Sequence, residues 1–160
     1  MFKKLEFLLA GLVLLTLSQS TFAQSENPFL GTWDIDFVQS DFGDAAVPLN
    51  MSRTYADLGN GNFMYLVVSI NPDGSLGGTS ASYSYSGEQY PIASLDELPA
   101  TFISYSKIND QTVEYTVHLG GVVNQIGAKF ISPSHQQLTI GIQFPNSDAK
   151  DQLLVFNRRR

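Results

Sequence analysis

The chain has 160 residues, which fits one domain, and its 12% aromatic and only 15% charged residues exclude a disordered protein. It has no cysteine, which excludes disulfides, thiol catalysis, cysteine-ligated zinc and a thioether-linked lipid anchor. The formal net charge of −6 argues against a nucleic-acid partner, because an acidic surface repels the phosphate backbone.

The first 23 residues have the pattern of a cleaved secretory signal peptide. Two lysines precede an uncharged apolar stretch at residues 7–17, and Ala23 supplies the small residue before a cleavage site. The apolar stretch is too short for a membrane-spanning helix, which needs about 20 residues. We therefore expect a secreted or periplasmic protein without a stable membrane anchor, in which residues 24–160 form a single domain.

Apolar and polar residues alternate from Trp33 onward, and turn residues interrupt the alternation at the spacing typical of β-sandwiches and barrels. Trp33, Ile35 and Phe37 share one face of the first predicted strand. The next predicted strands cover residues 51–58, 63–70, 78–86 and 89–92. Glycine and asparagine between the strands at 51–58 and 63–70, and proline and glycine between those at 63–70 and 78–86, indicate tight turns.

Residues 93–99 form the one stretch with a local helical pattern, because Ser94 and Glu97 have the spacing of a capping box. After it, strands are predicted at residues 101–107, 111–119, 122–131, 138–144 and 152–158. No segment repeats its apolar residues at the helical period over a helical length, so the domain is predicted to be all-β.

Short connections between successive strands favour antiparallel neighbours in a meander. An open meander of nine or ten strands would leave two long unpaired edges, and closure into a barrel removes them. We therefore expect an antiparallel up-and-down β-barrel of about 8–10 strands whose first and last strands pair. A β-sandwich is the alternative, although its Greek-key crossings usually need longer connections.

A motif at the start of the first strand carries a family resemblance. The segment NPFLGTW contains Gly31 and Trp33 in Gly-x-Trp spacing, which resembles the opening of lipocalin and wider calycin barrels. Residues 29–42 are similar to the start of small secreted lipocalin-like proteins of bacteria. The resemblance implies that the tryptophan closes the barrel base and that an arginine of the last strand packs across its ring. Arg158 fills that position, with Arg159 as the neighbouring candidate.

Tyrosines on the predicted strands are candidates for lining the interior, because their rings give apolar walls and their hydroxyls give polar tips. Such a wall suits a hydrophobic or amphipathic small molecule. These residues are Tyr65, Tyr83, Tyr85, Tyr105 and Tyr115. The alternative is ordinary strand composition, since tyrosine is common in sheets and alternation turns about half of such residues inward.

Glu114, Thr116 and His118 share one face of a predicted strand. A carboxylate and an imidazole on one face can serve as an acid/base pair, so His118 joins the candidate cavity residues. Residues four apart on a strand lie about 13 Å from each other, which allows them to flank a substrate but not to hydrogen-bond. The alternative is that this face is exposed to solvent.

The remaining polar residues give no assignable chemistry. Asp34 and Asp36 share a strand face near Asp41 and Asp44, but no calcium-loop spacing is present, and His135 is expected in an exposed turn. The sequence contains no nucleophile-elbow, phosphate-loop, dinucleotide or metalloprotease motif. We therefore expect no cofactor and no metal, and assign no catalytic residue.

Three functions from different classes fit these observations. The first is an exported barrel that holds a hydrophobic or amphipathic ligand in its lumen, since a barrel of this size is wide enough for one small ligand. The second is a cofactor-free isomerase, cyclase or hydrolase that uses tyrosine, histidine or glutamate in the cavity. The third is a structural or accessory envelope protein with a filled core. The oligomeric state is open in all three.

Overall fold

The computed structural model describes residues 27–95 and 99–160, so the predicted signal peptide and Glu97 lie outside the described residues. The strands are β1 (Gly31–Ile35), β2 (Asn50–Gly59), β3 (Asn62–Ile70), β4 (Leu76–Tyr83), β5 (Tyr90–Pro91), β6 (Ala93–Ser94), β7 (Thr101–Asn109), β8 (Thr112–Leu119), β9 (Val122–Ile131), β10 (Gln137–Gln143) and β11 (Gln152–Arg158). Within these two ranges, no helix is long and apolar enough to cross a membrane.

The strands form a single antiparallel sheet that curls into a nearly closed barrel. Their order in the sheet is β5-β7-β8-β9-β10-β11-β1-β2-β3-β4-β6. Long strands therefore lie beside their sequence neighbours, as short turns require. The first and last strands also pair, with Trp33 opposite Arg158. The predicted all-β, antiparallel, up-and-down barrel is confirmed, and the sandwich alternative is wrong because one continuous sheet contains every described strand.

Two short strands cover the gap between β4 and β7. β5 pairs with β7, whereas β6 pairs with β4. Between these pairings, the amide of Ile92 donates to the carbonyl oxygen of Thr101 at 2.9 Å, and the amide of Leu95 donates to Gly78 at 3.0 Å. The helical structure predicted for residues 93–99 is wrong for residues 93 and 94, which form the strand β6. The backbone groups at the edge of β4 are free to pair, and these two residues hydrogen-bond to them.

Burial follows the pleat of the strands and separates two layers of the interior. On β8, Val113 and Tyr115 are buried, whereas Glu114 between them is exposed. One layer is apolar and closely packed around Trp33 and Phe156, and it includes Ile131, Leu138 and Ile140. The second layer is rich in tyrosine. The apolar layer is the part of the core that holds the two ends of the chain together.

Trp33 is completely buried and takes part in the closure of the barrel. Its indole Nε1 donates a hydrogen bond of 2.9 Å to the carbonyl oxygen of Phe29, so the polar atom of the ring is satisfied. The guanidinium carbon of Arg158 lies 4.1 Å from the centre of the indole. This geometry is a cation–π contact, worth about 0.5–2 kcal/mol depending on how far the cation is desolvated.

The same guanidinium ties the last strand to the segment before β1. Its Nε donates to the carbonyl oxygen of His135 at 2.7 Å, and its two terminal nitrogens donate to Leu30 at 2.7 Å and Pro28 at 2.6 Å. Gly31 is required beside it, because a Cβ there would lie 2.9 Å from Nη1 of Arg158 and the glycine has a φ of +112°. Arg158 therefore joins three separate chain segments.

We predict that Trp33→Ala lowers the free energy of unfolding by about 3–5 kcal/mol, the range for removing a large buried aromatic side chain. Arg158→Ala should cost less, about 1.5–3 kcal/mol, because charge-assisted hydrogen bonds are lost from a side chain that is partly exposed. Denaturant unfolding followed by circular dichroism measures both values. Val38→Ala is the control, because Val38 is 96% exposed. Equal stability of the Trp33→Ala variant and the parent would contradict this account of the closure.

Candidate functional site

The tyrosine-rich layer surrounds a cavity of about 360 Å³ in the barrel lumen. Tyr65, Tyr105 and Tyr115 form part of its wall, and Ile103 and Leu154 give apolar surface. The volume lies within the range of about 300–1,000 Å³ typical of small-molecule sites. The interior therefore has room for a compact organic molecule.

The five tyrosines predicted as lining residues belong to one contiguous cluster of rings. The ring centres of Tyr83 and Tyr105 are 4.2 Å apart, and Tyr85 lies 5.7 Å from Tyr83. Four of the five are buried, and Tyr85 is partly buried against them. Three line the cavity itself, whereas Tyr83 and Tyr85 are absent from its lining and pack against Tyr105. Gly127 makes room for Tyr115, whose hydroxyl oxygen would lie 2.6 Å from a Cβ there.

Burial changes the acidity of these phenols. Desolvation raises the pKa of Tyr65 to about 12. It also raises the pKa values of Tyr83, Tyr105 and Tyr115 above the ordinary value of a tyrosine. All four hydroxyls are therefore protonated at neutral pH and are able to donate hydrogen bonds.

Lys129 is the buried charged residue of this interior, with 3% of its surface exposed. Its Nζ donates a hydrogen bond of 2.9 Å to the hydroxyl of Tyr105. The same nitrogen lies 4.1 Å from the ring centre of Tyr105 and 4.7 Å from that of Tyr55. Three more tyrosine rings lie within 6 Å, those of Tyr65, Tyr83 and Tyr115. Desolvation and the nearby charge of Arg53 hold the pKa of Lys129 well below its ordinary value.

Arg53 is the second cation of the cavity wall. It lies opposite Trp33 in the pairing of β1 and β2, and its guanidinium carbon is 5.7 Å from the ring centre of Phe156. Arg53 therefore borders the apolar layer as well as the cavity. One terminal nitrogen donates to the Tyr55 hydroxyl at 3.3 Å, and Nε is buried with no hydrogen-bond partner among the described residues. No acidic side chain lines the described cavity.

The sequence analysis missed both cations, although a usable pattern was present. Arg53 is two residues before Tyr55, and Lys129 is two residues before Ile131, so each shares the strand face of a residue that is buried. A basic residue at an inward position of a strand is rare and marks either an ion pair or a binding site. Only the barrel shows that both cations face the same lumen.

His118 is not among the residues that line the cavity. It alternates on β8 with the buried Val117, so its side chain belongs to the other face of the sheet. Its Nδ1 is buried without a hydrogen-bond partner among the described residues. Glu114 is exposed and lines a separate surface depression of about 580 Å³ that does not include His118. The structure therefore does not assemble these two residues into one site.

Three of the aspartates singled out from the sequence contact residues near the end of the chain at the surface. Asp34 pairs with Arg159, and the hydrogen bond from that guanidinium lowers its pKa. Asp36 accepts hydrogen bonds from Gln39 and Asn157. Asp44 forms an ion pair of 2.8 Å with Lys150. Within the described ranges, no group of three or more histidine or acidic residues is arranged to hold a metal ion.

The fold is similar to that of several solved β-barrels. The Schistosoma mansoni fatty acid binding protein, solved in complex with arachidonic acid, superimposes with a TM-score of 0.58 at 10% identity, covering 83% of this chain and 97% of that one. A mutant of the fluorescent protein UnaG gives 0.57 at 14% identity, with the same coverages of 83% and 97%. Rv2717c from M. tuberculosis gives 0.53 at 15% identity and covers 83% and 94%.

These similarities establish the fold of the chain. The superpositions cover most of this chain and of each neighbour, so the β-barrel fold implied by the resemblance at NPFLGTW is confirmed. No family model matches the chain, and no curated protein sequence matches it either. Sequence identities of 10–15% with these structures establish a similar fold and nothing about function. A binding role therefore depends on the residues of this lumen.

We predict that the buried tyrosines resist ionisation at alkaline pH. Because their pKa values are raised in the folded state, folding is favoured fully below the ordinary tyrosine pKa of about 10, and the stability decreases as the pH rises above it. Absorbance at about 295 nm reports the ionised form of tyrosine. A titration followed at this wavelength should show a late rise, from ionisation of the buried tyrosines, at the pH where the protein unfolds. Tyr105→Phe should reduce the amplitude of this late rise, because one buried tyrosine fewer ionises. Complete, reversible ionisation of every tyrosine near pH 10 in the folded protein would contradict the buried cluster.

Proposed function

We propose that the protein is an exported barrel that binds a small amphipathic molecule carrying an anionic group, such as a carboxylate, in its lumen. The observation that carries the proposal is Arg53, a cation in the cavity wall with an unpartnered Nε and no acidic neighbour in the described lining. The walls supply the complementary apolar surface. A carboxylate with a compact hydrocarbon or aromatic body matches both features.

The guanidinium of Arg53 is half-buried and has no anionic partner in the described lining. Such a position is costly, because taking a charge out of water costs several kcal/mol unless an opposite charge or hydrogen bonds replace the lost hydration. An incoming carboxylate would accept from the guanidinium in the planar geometry that arginine favours. Lys129 lies at the same cavity and contributes a second polar contact. The ligand would then stabilise the folded barrel by filling the vacant hydrogen-bonding capacity.

The apolar body of the ligand would pack on the tyrosine wall. Tyr65 and Tyr115 expose ring surface to the cavity, and Ile103, Val117 and Leu154 extend it with aliphatic groups. Such a wall favours an apolar or aromatic body and gives little discrimination of its detailed shape. The Schistosoma mansoni fatty acid binding protein, solved in complex with arachidonic acid, is an example of a protein of similar fold that binds a fatty acid.

The cavity also bears on the two alternatives. A structural protein with a completely filled core would have no lumen of about 360 Å³. The enzyme alternative uses tyrosine, histidine or glutamate in the cavity, and the described lining includes tyrosines but neither histidine nor glutamate. Binding is therefore the function that the lumen supports best.

Export is the second element of the proposal, and it depends on residues 1–23 alone. We predict that the protein recovered from the periplasm or the medium begins at Gln24, because the charge, apolar stretch and small residues match a cleaved signal peptide. N-terminal sequencing of the recovered protein tests this. A stable product that retains residues 7–17 would contradict it.

We predict that Arg53→Met weakens the binding of decanoate by about 10- to 100-fold, the effect of losing about 1.5–3 kcal/mol of charge-assisted hydrogen bonding. Binding of decanol should be unchanged, because the alcohol has the same chain and no charge. Isothermal titration calorimetry measures both ligands. The free energy of unfolding of Arg53→Met should equal or exceed that of the parent, since a half-buried cation without an acidic partner in the described lining is removed.

Arg159→Met is the matched control, because Arg159 is exposed and pairs with Asp34 at the surface. It should bind decanoate as the parent does. Equal decanoate affinity in the parent and in Arg53→Met would overturn the assignment of Arg53. No binding of either decanoate or decanol by the parent would overturn the proposed lumen function itself.

A further inference from the structure

Lys129 has surroundings that differ from those of the other described lysines. Lys107 and Lys150 are exposed and form ion pairs of 2.7 and 2.8 Å with Asp110 and Asp44. Lys129 is buried, borders the cavity and makes no ion pair with a described acidic residue. A cation that only stabilised the fold would be expected to have an acidic partner. Lys129 instead lines a cavity that a small molecule can occupy.

From this geometry we infer that Lys129 is a nucleophilic amine, and that it forms a reversible Schiff base with aldehydes that enter the lumen. The inference rests on the proposed function in one respect, because the lumen has to admit a small molecule. It goes further in naming a chemical class of ligand, carbonyl compounds, and a covalent mode of binding. No other protein group, metal or cofactor is needed for the step.

The groups that face the amine determine its protonation. One is a cation, Arg53, and the others are the neutral phenols of Tyr55, Tyr65, Tyr83, Tyr105 and Tyr115. Ring faces attract an ammonium ion, but desolvation and the charge of Arg53 act against it and leave the pKa of Lys129 well below the ordinary lysine value. A larger fraction of free amine is therefore present at neutral pH than in an exposed lysine, and the free amine is the form that attacks a carbonyl.

The position of the Lys129 amine also supports Schiff-base formation. The hydroxyl of Tyr105 lies 2.9 Å from Nζ and holds the amine at the cavity wall. Because burial raises the pKa of Tyr105, this hydroxyl stays protonated and accepts the hydrogen bond from Nζ as a neutral group. Lys129 is the residue that forms the bond, and Tyr105 acts as a positioning residue for its amine.

The reaction balances without any oxidant or reductant. Nζ attacks the carbonyl carbon, a C–N bond forms, and the carbonyl oxygen takes up a proton lost by nitrogen to give a carbinolamine. The carbinolamine then loses its hydroxyl group together with the second N–H proton as one water molecule, which leaves a C=N bond. Addition of water reverses both steps.

The test uses cinnamaldehyde, an uncharged aromatic aldehyde, with cyanoborohydride to reduce any imine to a stable amine at neutral pH. Intact mass and peptide mapping should show one saturating adduct on Lys129. Its initial rate should exceed those at Lys107 and Lys150 by at least about tenfold, since each unit by which a pKa is lowered gives about tenfold more free amine. Equal labelling of the three lysines, or an unlabelled Lys129, would overturn the inference.

Two variants and a pH series sharpen the result. Lys129→Met should lose the saturating adduct, whereas Lys150→Met should retain it. If Lys129→Met does not fold, the peptide map of the parent protein still tests the inference, because that measurement requires no substitution. The labelling rate of Lys129 should level off at a lower pH than that of an acetyl-lysine amide peptide. A rate that rises in parallel with the peptide up to about pH 10 would contradict a depressed pKa.

The outcome is separable from that of the proposed function. If decanoate or decanol binds and no Lys129 adduct forms, the Schiff-base inference is wrong and the lumen function stands. If Lys129 is labelled while Arg53→Met leaves decanoate binding unchanged, the inference stands and the assignment of Arg53 is wrong. If no probe binds and no adduct forms, both are wrong.

Discussion

The guanidinium of Arg158 is the contact on which the closure of the barrel depends. It lies over the buried indole of Trp33 and donates to three carbonyl groups from segments that are far apart in the sequence. The pairing of β1 with β11 does not include the segment before β1. Arg158 bonds to two carbonyl groups of that segment, the Trp33 indole bonds to a third at Phe29, and Gly31 leaves the space that the guanidinium occupies. Pairing of β1 with β11 in turn removes the edges that these two strands would expose, and only the short strands β5 and β6 stand at the ends of the described sheet.

Closure also explains how the interior can tolerate features that cost stability. Trp33 and Phe156 belong to an apolar, fully buried layer of the core. Beside that layer, the barrel keeps a cavity and two cations, Arg53 and Lys129, without an acidic partner in the described lining. Favourable burial in one layer therefore offsets unfavourable desolvation in the next. Functional sites commonly combine these two properties, since residues placed for binding are seldom optimal for folding.

The two cations have different chemistry even though they line one cavity. Arginine keeps its charge in any protein environment, so Arg53 is a permanent site for an anion. Lysine loses its proton more readily when buried, and Arg53 adds to that tendency in Lys129. The arginine is therefore the electrostatic group of the lumen and the lysine its nucleophile. The tyrosine rings around them shape the space and hold hydroxyl donors at its wall.

The sequence by itself determined the strands and their antiparallel order, because period-two alternation and turn residues are local properties. The pairing of the two ends was expected from the edges that an open meander would expose. The five tyrosines were candidates only, since alternation turns about half of the strand residues inward. The sequence did not determine which basic residues meet in the lumen, since Arg53 and Lys129 are far apart in the sequence and converge only when the sheet curls. It placed His118 among the cavity candidates, whereas the pleat of β8 turns it to the other face. The helical pattern after Ile92 was likewise overruled by the free edge of β4. Long-range pairing decided these points, and no local pattern encodes it.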